Sequence, residues 1–175
     1  MTTALVVIDV QQGMFAFPDY PPHDGEGVVA RIAGLIARAR AAERPIFYVQ
    51  HDGGPGHPLG AGTEGFPFRP ELAPQPGDSV TVKRNCNSFQ DTDLDARLRN
   101  AGIDHLVICG MQTEFCVDTA VRAGFERGYK ITLVEDAHST GDTPVLKAKD
   151  IVAHHNRTLA DFAKLQCANA IAFAD

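Results

Sequence analysis

Residues 106–134 read LVICGMQTEFCVDTAVRAGFERGYKITLV. The stretch opens on four apolar residues, 106–109, and Gly110 ends the run. Such a run between breakers reads as a strand buried on both faces. Residues 114–127 follow with helical spacing, and Gly128 stands where a helix C-terminus prefers glycine. Residues 131–134 form a second apolar run, closed by Glu135 and Asp136. Strand, helix and strand with short joints make a βαβ unit, whose crossover joins parallel strands.

The same alternation extends in both directions. Residues 4–10 predict a strand and 28–42 a helix, and Pro45 precedes a strand at 46–50. Residues 80–83 predict a short strand, and 94–101 a helix stopped by Gly102. Pro144 suits a helix start, with the helix running to about residue 164, and 168–173 predict a sixth, weaker strand. The expected class is therefore α/β: three layers, α/β/α, around a six-stranded parallel sheet, in one domain spanning 1–175. Residues 53–77 are dense in glycine and proline and show no periodicity. A loop that long inside a compact domain is usually functional.

A chain of 175 residues with 44% hydrophobic content can bury one sizeable core. The formal net charge of −6 argues against nucleic acid or an anionic membrane surface as partner. No apolar run is long enough to span a bilayer. Met1-Thr2-Thr3-Ala4 lacks the basic start of a signal peptide, and the apolar stretch after it halts at Asp9, so the cytoplasm is the expected compartment. Cys86, Cys109, Cys116 and Cys167 form no CxxC pair and no compact metal-binding cluster. Each is then either a small core residue or a reactive thiol.

In a parallel α/β sheet, ligands sit beyond the C-terminal strand ends, at the switch point of strand order. Asp9, residues 50–52, 83–87, 110–116 and 136–138 all fall there. Cys116 lies in the predicted first turn of a helix, where free N–H groups and the dipole stabilise a thiolate; the alternative is a buried structural cysteine. Asp9 ends an apolar strand, so it is paired, solvated or useful; an ion pair or a cap is the plain alternative. Lys83 also ends an apolar run, where a solvated strand end is the plain alternative. Together they place an acid, a cation and a thiol at three strand ends. A lysine there stabilises a thiolate and keeps Asp9 ionised, and Asp9 can take the thiol proton and return it to a leaving amine.

The strand Val6-Val7-Ile8-Asp9-Val10-Gln11, the segment from Lys83 to Ser88-Phe89, and Gly110-Met111-Gln112-Thr113-Glu114-Phe115-Cys116-Val117 resemble the signature segments of the isochorismatase-like cysteine hydrolases. That family includes nicotinamidases, N-carbamoylsarcosine amidohydrolases, biuret hydrolases and streptothricin-type hydrolases. The resemblance covers nearly the whole chain. It implies the Rossmann-like fold of that family, an Asp9–Lys83–Cys116 triad, a cis peptide between Met111 and Gln112, and an oxyanion hole from the amides of Gln112 and Cys116. It further implies hydrolysis of a small amide or ureide through a thioester, without a cofactor, in a homodimer or larger homo-oligomer. Two other activities stay open on the same fold: vinyl-ether hydrolysis, in a subgroup that typically lacks the cysteine, and an idle binding or redox protein.

One branch is a poorer match. Nicotinamidases carry Asp-x-His and a later His that bind a metal; here the corresponding stretch is Gln50-His51-Asp52, with His57 further on. No metal is therefore expected, although His51, Asp52 and His57 are the residues to watch. Phe15, Gln50, Phe89, Phe115 and His138 are the expected substrate contacts, with Phe17, Phe66 and Phe68 also flanking the cleft. Segments 53–77 and 140–158 carry apolar residues and histidines beyond what covering one sheet needs, which points to assembly.

Overall fold

In β1 (Thr3–Ile8) of the computed structural model, successive residues alternate between two cores. Leu5 and Val7 face one cluster with α1 (Gly25–Ala41), whereas Ala4, Val6 and Ile8 face a second with Leu98, Val121 and Leu159. The two-residue period of a strand thus buries both faces of the sheet. The structure describes residues 2–173. Residues 1, 174 and 175 of the expected 1–175 domain lie outside the described residues, as does Met1 of the N-terminal reading.

The remaining elements are β2 (Ile46–His51), β3 (Ser79–Lys83), α2 (Leu94–Asn100), β4 (His105–Met111), α3 (Asp118–Glu126), β5 (Lys130–Ser139), α4 (Ala148–Leu159) and β6 (Lys164–Gln166). The six strands pair in the order β3-β2-β1-β4-β5-β6, every pair parallel. Chain order therefore runs outward from β1 to β3 and then returns to β4 on the other side, which puts the switch point between β1 and β4. Among the described residues, no helix is long and apolar enough to cross a membrane.

Several expected boundaries shift, most of all in the last third of the chain. The sixth strand is Lys164–Gln166, paired with Thr132–Val134, and not 168–173. Ala168, Ile171 and Phe173 are buried as expected of apolar residues, but they pack on the α1 face of the sheet without joining the ladder. The last helix begins at Ala148, because 142–147 is held as a turn: Asp142 Oδ1 accepts the Ala148 N–H, and Thr143 Oγ1 accepts those of Val145 and Leu146. It ends at Leu159, whose carbonyl accepts the N–H groups of Phe162 and Ala163. β5 runs on through Glu135 and Asp136 to Ser139; its pairing with β4 slips between Ile108 and Gly110, bringing His138 beside Gly110.

The long loop is tied down. Gln11 bridges Phe68, and its buried amide donates to the carbonyls of His51 (3.0 Å) and Phe66 (2.7 Å) while accepting the His51 N–H at 2.9 Å. Within it, Pro70–Leu72 forms a 3-10 turn.

Candidate active site

Asp9 follows β1 with φ of 52°, and its N–H donates to Val49 O at 2.9 Å. Across the switch point, β4 approaches β1 closely. A Cβ on Gly110, whose φ is 130°, would lie 2.1 Å from Ile8 O, so only glycine fits there. The Met111–Gln112 peptide that follows is cis. Thr113–Val117 then forms a π turn, with Gln112 O accepting the N–H groups of Phe115 (3.2 Å) and Val117 (3.1 Å). Cys116 therefore sits in that turn, just ahead of α3, and not in the first turn of an α-helix. Lys83 is the last residue of β3, opposite His51 of β2. Its long side chain spans the end of β2 to reach the switch point.

The three residues meet. Lys83 Nζ lies 2.7 Å from Asp9 Oδ2 and donates to Cys116 Sγ at 3.2 Å and to Asn85 O at 3.0 Å. His51 Nδ1 is a fourth, longer neighbour at 3.4 Å. The Asp9 and Lys83 side chains are both 0% exposed. Asp9 Oδ1 is buried with no hydrogen-bond partner, and Oδ2 meets Lys83 as an ion pair rather than as a well-aligned hydrogen bond.

Burial wins over the neighbouring charges at Asp9 and Cys116 but not at Lys83. It holds the Asp9 carboxyl above the usual range, against the pull of Lys83. Burial also works to lower Lys83, but its partners, Asp9 foremost, outweigh it and hold the lysine above its usual range. The Cys116 thiol is pushed well up, first by burial and then by Asp9, with Lys83 only partly offsetting them. The resting site therefore holds Cys116 as a thiol beside the Asp9–Lys83 pair, not as the dipole-stabilised thiolate that the helical reading implies.

Cys116 and Gln112 line a cavity of about 310 Å³. Met14, Phe17, Tyr20, Leu59 and Phe115 supply most of its wall, and His51, His57 and Cys86 complete it. Burial lowers His51 to about 4, so its imidazole is neutral near pH 7. A larger cleft of about 600 Å³, lined by Phe125, Tyr129 and Phe162 among others, lies at the opposite ends of β4 and β5 and touches none of the three residues. Chemistry, not size, identifies the site.

The other expected contacts divide. Phe115 and Phe17 face the cavity. Phe15 lies beneath the Arg69 guanidinium, 4.4 Å from its ring centre, and Gln50 spends its amide on Phe66 O at 2.9 Å. Phe89 stacks on Tyr129 in the core, and Phe68 packs edge-on against Tyr48. His138 is buried behind the π turn. Its Nε2 faces Asn156 Oδ1 at 2.9 Å, an acceptor, so Nδ1 accepts from Thr113 Oγ1 at 2.9 Å. These four expected contacts, Phe15, Gln50, Phe89 and His138, do not line the cavity, because each is committed to packing or to a hydrogen bond elsewhere.

Asp52 turns away from His51 and His57. Its Oδ1 accepts the N–H groups of Gly54 and Ala61, both at 3.0 Å, and Oδ2 pairs with Arg84 at 3.1 Å. Those bonds, that from Ala61 foremost, hold its carboxyl below the usual range. Among the described residues no three His, Cys, Asp or Glu side chains are placed to share a metal ion. Met14, Tyr20 and Leu59 escape sequence reasoning, since Met14 sits in a short 3-10 turn, Gln12–Phe15, and the other two in aperiodic loops; their only signal is closeness to the ends of β1 and β2.

The Isochorismatase domain family model matches residues 3–166. A streptothricin hydrolase of Streptomyces noursei is 36% identical over 81% of this chain, which spans 51% of that protein's length. The ureidoacrylate amidohydrolase RutB of Variovorax paradoxus is 31% identical over 83% of this chain and 72% of its own. Among solved structures, an isochorismatase of Pseudomonas putida superposes with a TM-score of 0.91 at 32% identity, covering 97% of this chain and 89% of that one.

Proposed function

This chain belongs to the isochorismatase family of hydrolases, and from that premise we propose that it cleaves a small amide or ureide with Cys116 as nucleophile, Asp9 as acid–base and Lys83 as electrostatic partner. The observation that carries the reading is the placement of one buried ammonium 2.7 Å from Asp9 and 3.2 Å from Cys116, with the thiol open to a cavity.

The order of proton transfers follows from the charges. Cys116 rests as a thiol, so Sγ loses its proton to Asp9 as it bonds to the substrate carbonyl carbon. The oxygen becomes negative and is held by the amides of Gln112 and Cys116. The C–N bond breaks as the nitrogen takes the proton from Asp9, leaving a thioester and ammonia or an amine. Asp9 then removes a proton from water, whose oxygen attacks the thioester; the C–S bond breaks and the proton returns to sulfur. Lys83 stays charged throughout and steadies whichever of Asp9 and Cys116 is negative.

The test is a panel of small amides and ureides with release of ammonia or amine as readout. Wild type should turn over at least one, and Cys116→Ala should lower that turnover by about 10³-fold or more. Iodoacetamide should inactivate the wild type with the label on Cys116. Substantial turnover by Cys116→Ala would remove the nucleophile; cleavage of a vinyl ether and of no amide would replace the reaction.

A further inference from the structure

The chemistry of the cavity wall restricts what can reach Cys116. Among the described residues, no Asp, Glu, Lys or Arg lines the cavity. The two charges behind it, Asp9 and Lys83, are 2.7 Å apart and cancel at a distance. Arg84, close in sequence to Lys83, is engaged by Asp52 at 3.1 Å. An anion entering the cavity therefore gives up water and finds no cation, and a cation finds no carboxylate.

Of the polar groups that remain, Gln112 and Tyr20 can donate or accept, whereas His57 and His51 have a definite sense. His57 Nδ1 accepts the Leu59 N–H at 3.1 Å, so a neutral ring carries its proton on Nε2. His51 Nδ1 faces the Lys83 ammonium at 3.4 Å, which can only donate, so that ring is also protonated on Nε2. The two rings stand 6.0 Å apart and both line the cavity. They offer N–H donors, while Phe17, Phe115, Met14 and Leu59 offer apolar surface. The volume, about 310 Å³, is at the small end for a small-molecule site.

We propose that the site selects small uncharged amides with an apolar or aromatic body and a hydrogen-bond acceptor on it, and rejects the analogues that carry a carboxylate or an ammonium group. The selection acts at the site of the proposed hydrolysis and rests on that reading. A substrate built on an acrylate, with a free carboxylate, is unsuited to this wall.

Alkylation of Cys116 in the intact chain tests the selection without needing turnover. Four reagents share one warhead: iodoacetamide, N-benzyl iodoacetamide, iodoacetate, and an iodoacetamide bearing a trimethylammonium-ethyl group. Each rate, read at Cys116 by peptide mass so that Cys86 is scored apart, is divided by the rate of the same reagent with free glutathione. The benzyl reagent should exceed iodoacetamide by about tenfold, and both charged reagents should fall about tenfold or more below it. Phe17→Ala and Phe115→Ala should shrink the benzyl preference. Phe17→Arg, at a position 40% exposed and so tolerant of charge, should raise the iodoacetate rate. Iodoacetate or the ammonium reagent matching iodoacetamide, or no benzyl preference, overturns the proposal while leaving amide hydrolysis standing. No labelling of Cys116 by any reagent, with Cys86 labelled, removes the nucleophile and the selection with it.

Discussion

Lys83 holds the site together electrostatically, and its removal has two separable consequences. Its charge lowers Cys116, so Lys83→Met raises the thiol further and slows iodoacetamide labelling near neutral pH, by about tenfold for each unit of rise. It also leaves Asp9 buried without a partner, at a cost of about 3–5 kcal/mol. Asp9 already has a raised pKa in the folded chain, and loss of the lysine raises it more. A group raised on folding supports stability below its unfolded pKa, and that support is lost as pH rises through the folded value. The stability deficit of Lys83→Met should therefore be largest in mildly alkaline buffer and shrink in mildly acidic buffer, as read from urea midpoints; an equal deficit in both would remove the buried Asp9 charge as its cause. Asp52 bears on metal in the same way: with both oxygens committed, it is a poor ligand, and activity should survive thorough chelation. Loss of activity restored by zinc, manganese or iron would overturn that. The positions of Asp9 and Lys83 were legible because a charged residue ending an apolar strand stands out, and both do meet Cys116; the ionisation of Cys116 was not, because burial is a property of the packed fold and not of the local turn.

At the level of elements, the β1–β4 seam and the π turn set the precision of the site. Gly110→Ala forces a Cβ into the Ile8 backbone, 2.1 Å from its oxygen, at a residue with φ of 130°. The clash is with backbone inside the sheet, so it cannot relax cheaply; about 3 kcal/mol or more should be lost on denaturant unfolding. A loss below that size, with activity intact, would mean that the seam yields to the added methyl group and does not set the site. The π turn is braced from behind by the chain Thr113–His138–Asn156, which ends on Glu135 O. His138→Phe removes the acceptor of the Thr113 hydroxyl and should lower kcat about 10–100-fold with KM little changed, as a misplaced reacting group does. Thr113→Val should behave alike, and the double variant should be no worse than either single one; additive losses would separate the two residues. Five strands and four helices were readable from apolar period and glycine stops. β6 was not, since Lys164–Gln166 is a three-residue edge strand with one apolar side chain, whereas 168–173 owes its apolar character to core packing without pairing. His138 reads from sequence as a substrate contact; its bonds to Thr113 and Asn156 depend on how far β5 runs, which the acidic pair 135–136 conceals.

For the whole molecule, the distribution of exposed apolar groups matters more than the net charge. Phe17 and Phe115, at 40% and 48% exposed, line the cavity, and Tyr20 beside them bonds Thr140 at 3.3 Å. Thr140 in turn donates to Glu114 at 2.9 Å, so the segment leading to Val145 and Leu146 starts against the cavity wall. Val145 is 85% exposed and Leu146 47%. Water-facing aliphatic and aromatic groups on adjoining segments are the kind of surface that association covers. We propose that two copies meet through this region, in the self-complementary arrangement that two-fold symmetry requires. The alternative is that the 142–147 turn, already satisfied by Asp142 and Thr143, stands free as an ordinary surface loop. Light scattering over a dilution series separates them: the expected mass is at least twice 18.8 kDa, and Val145→Asp with Leu146→Asp should lower it to one chain with the circular dichroism unchanged, because neither side chain serves the core. A wild-type mass of one chain at micromolar concentration would end the assembly claim, and would leave Phe17 and Phe115 as the open mouth of a cavity shaped by one chain alone.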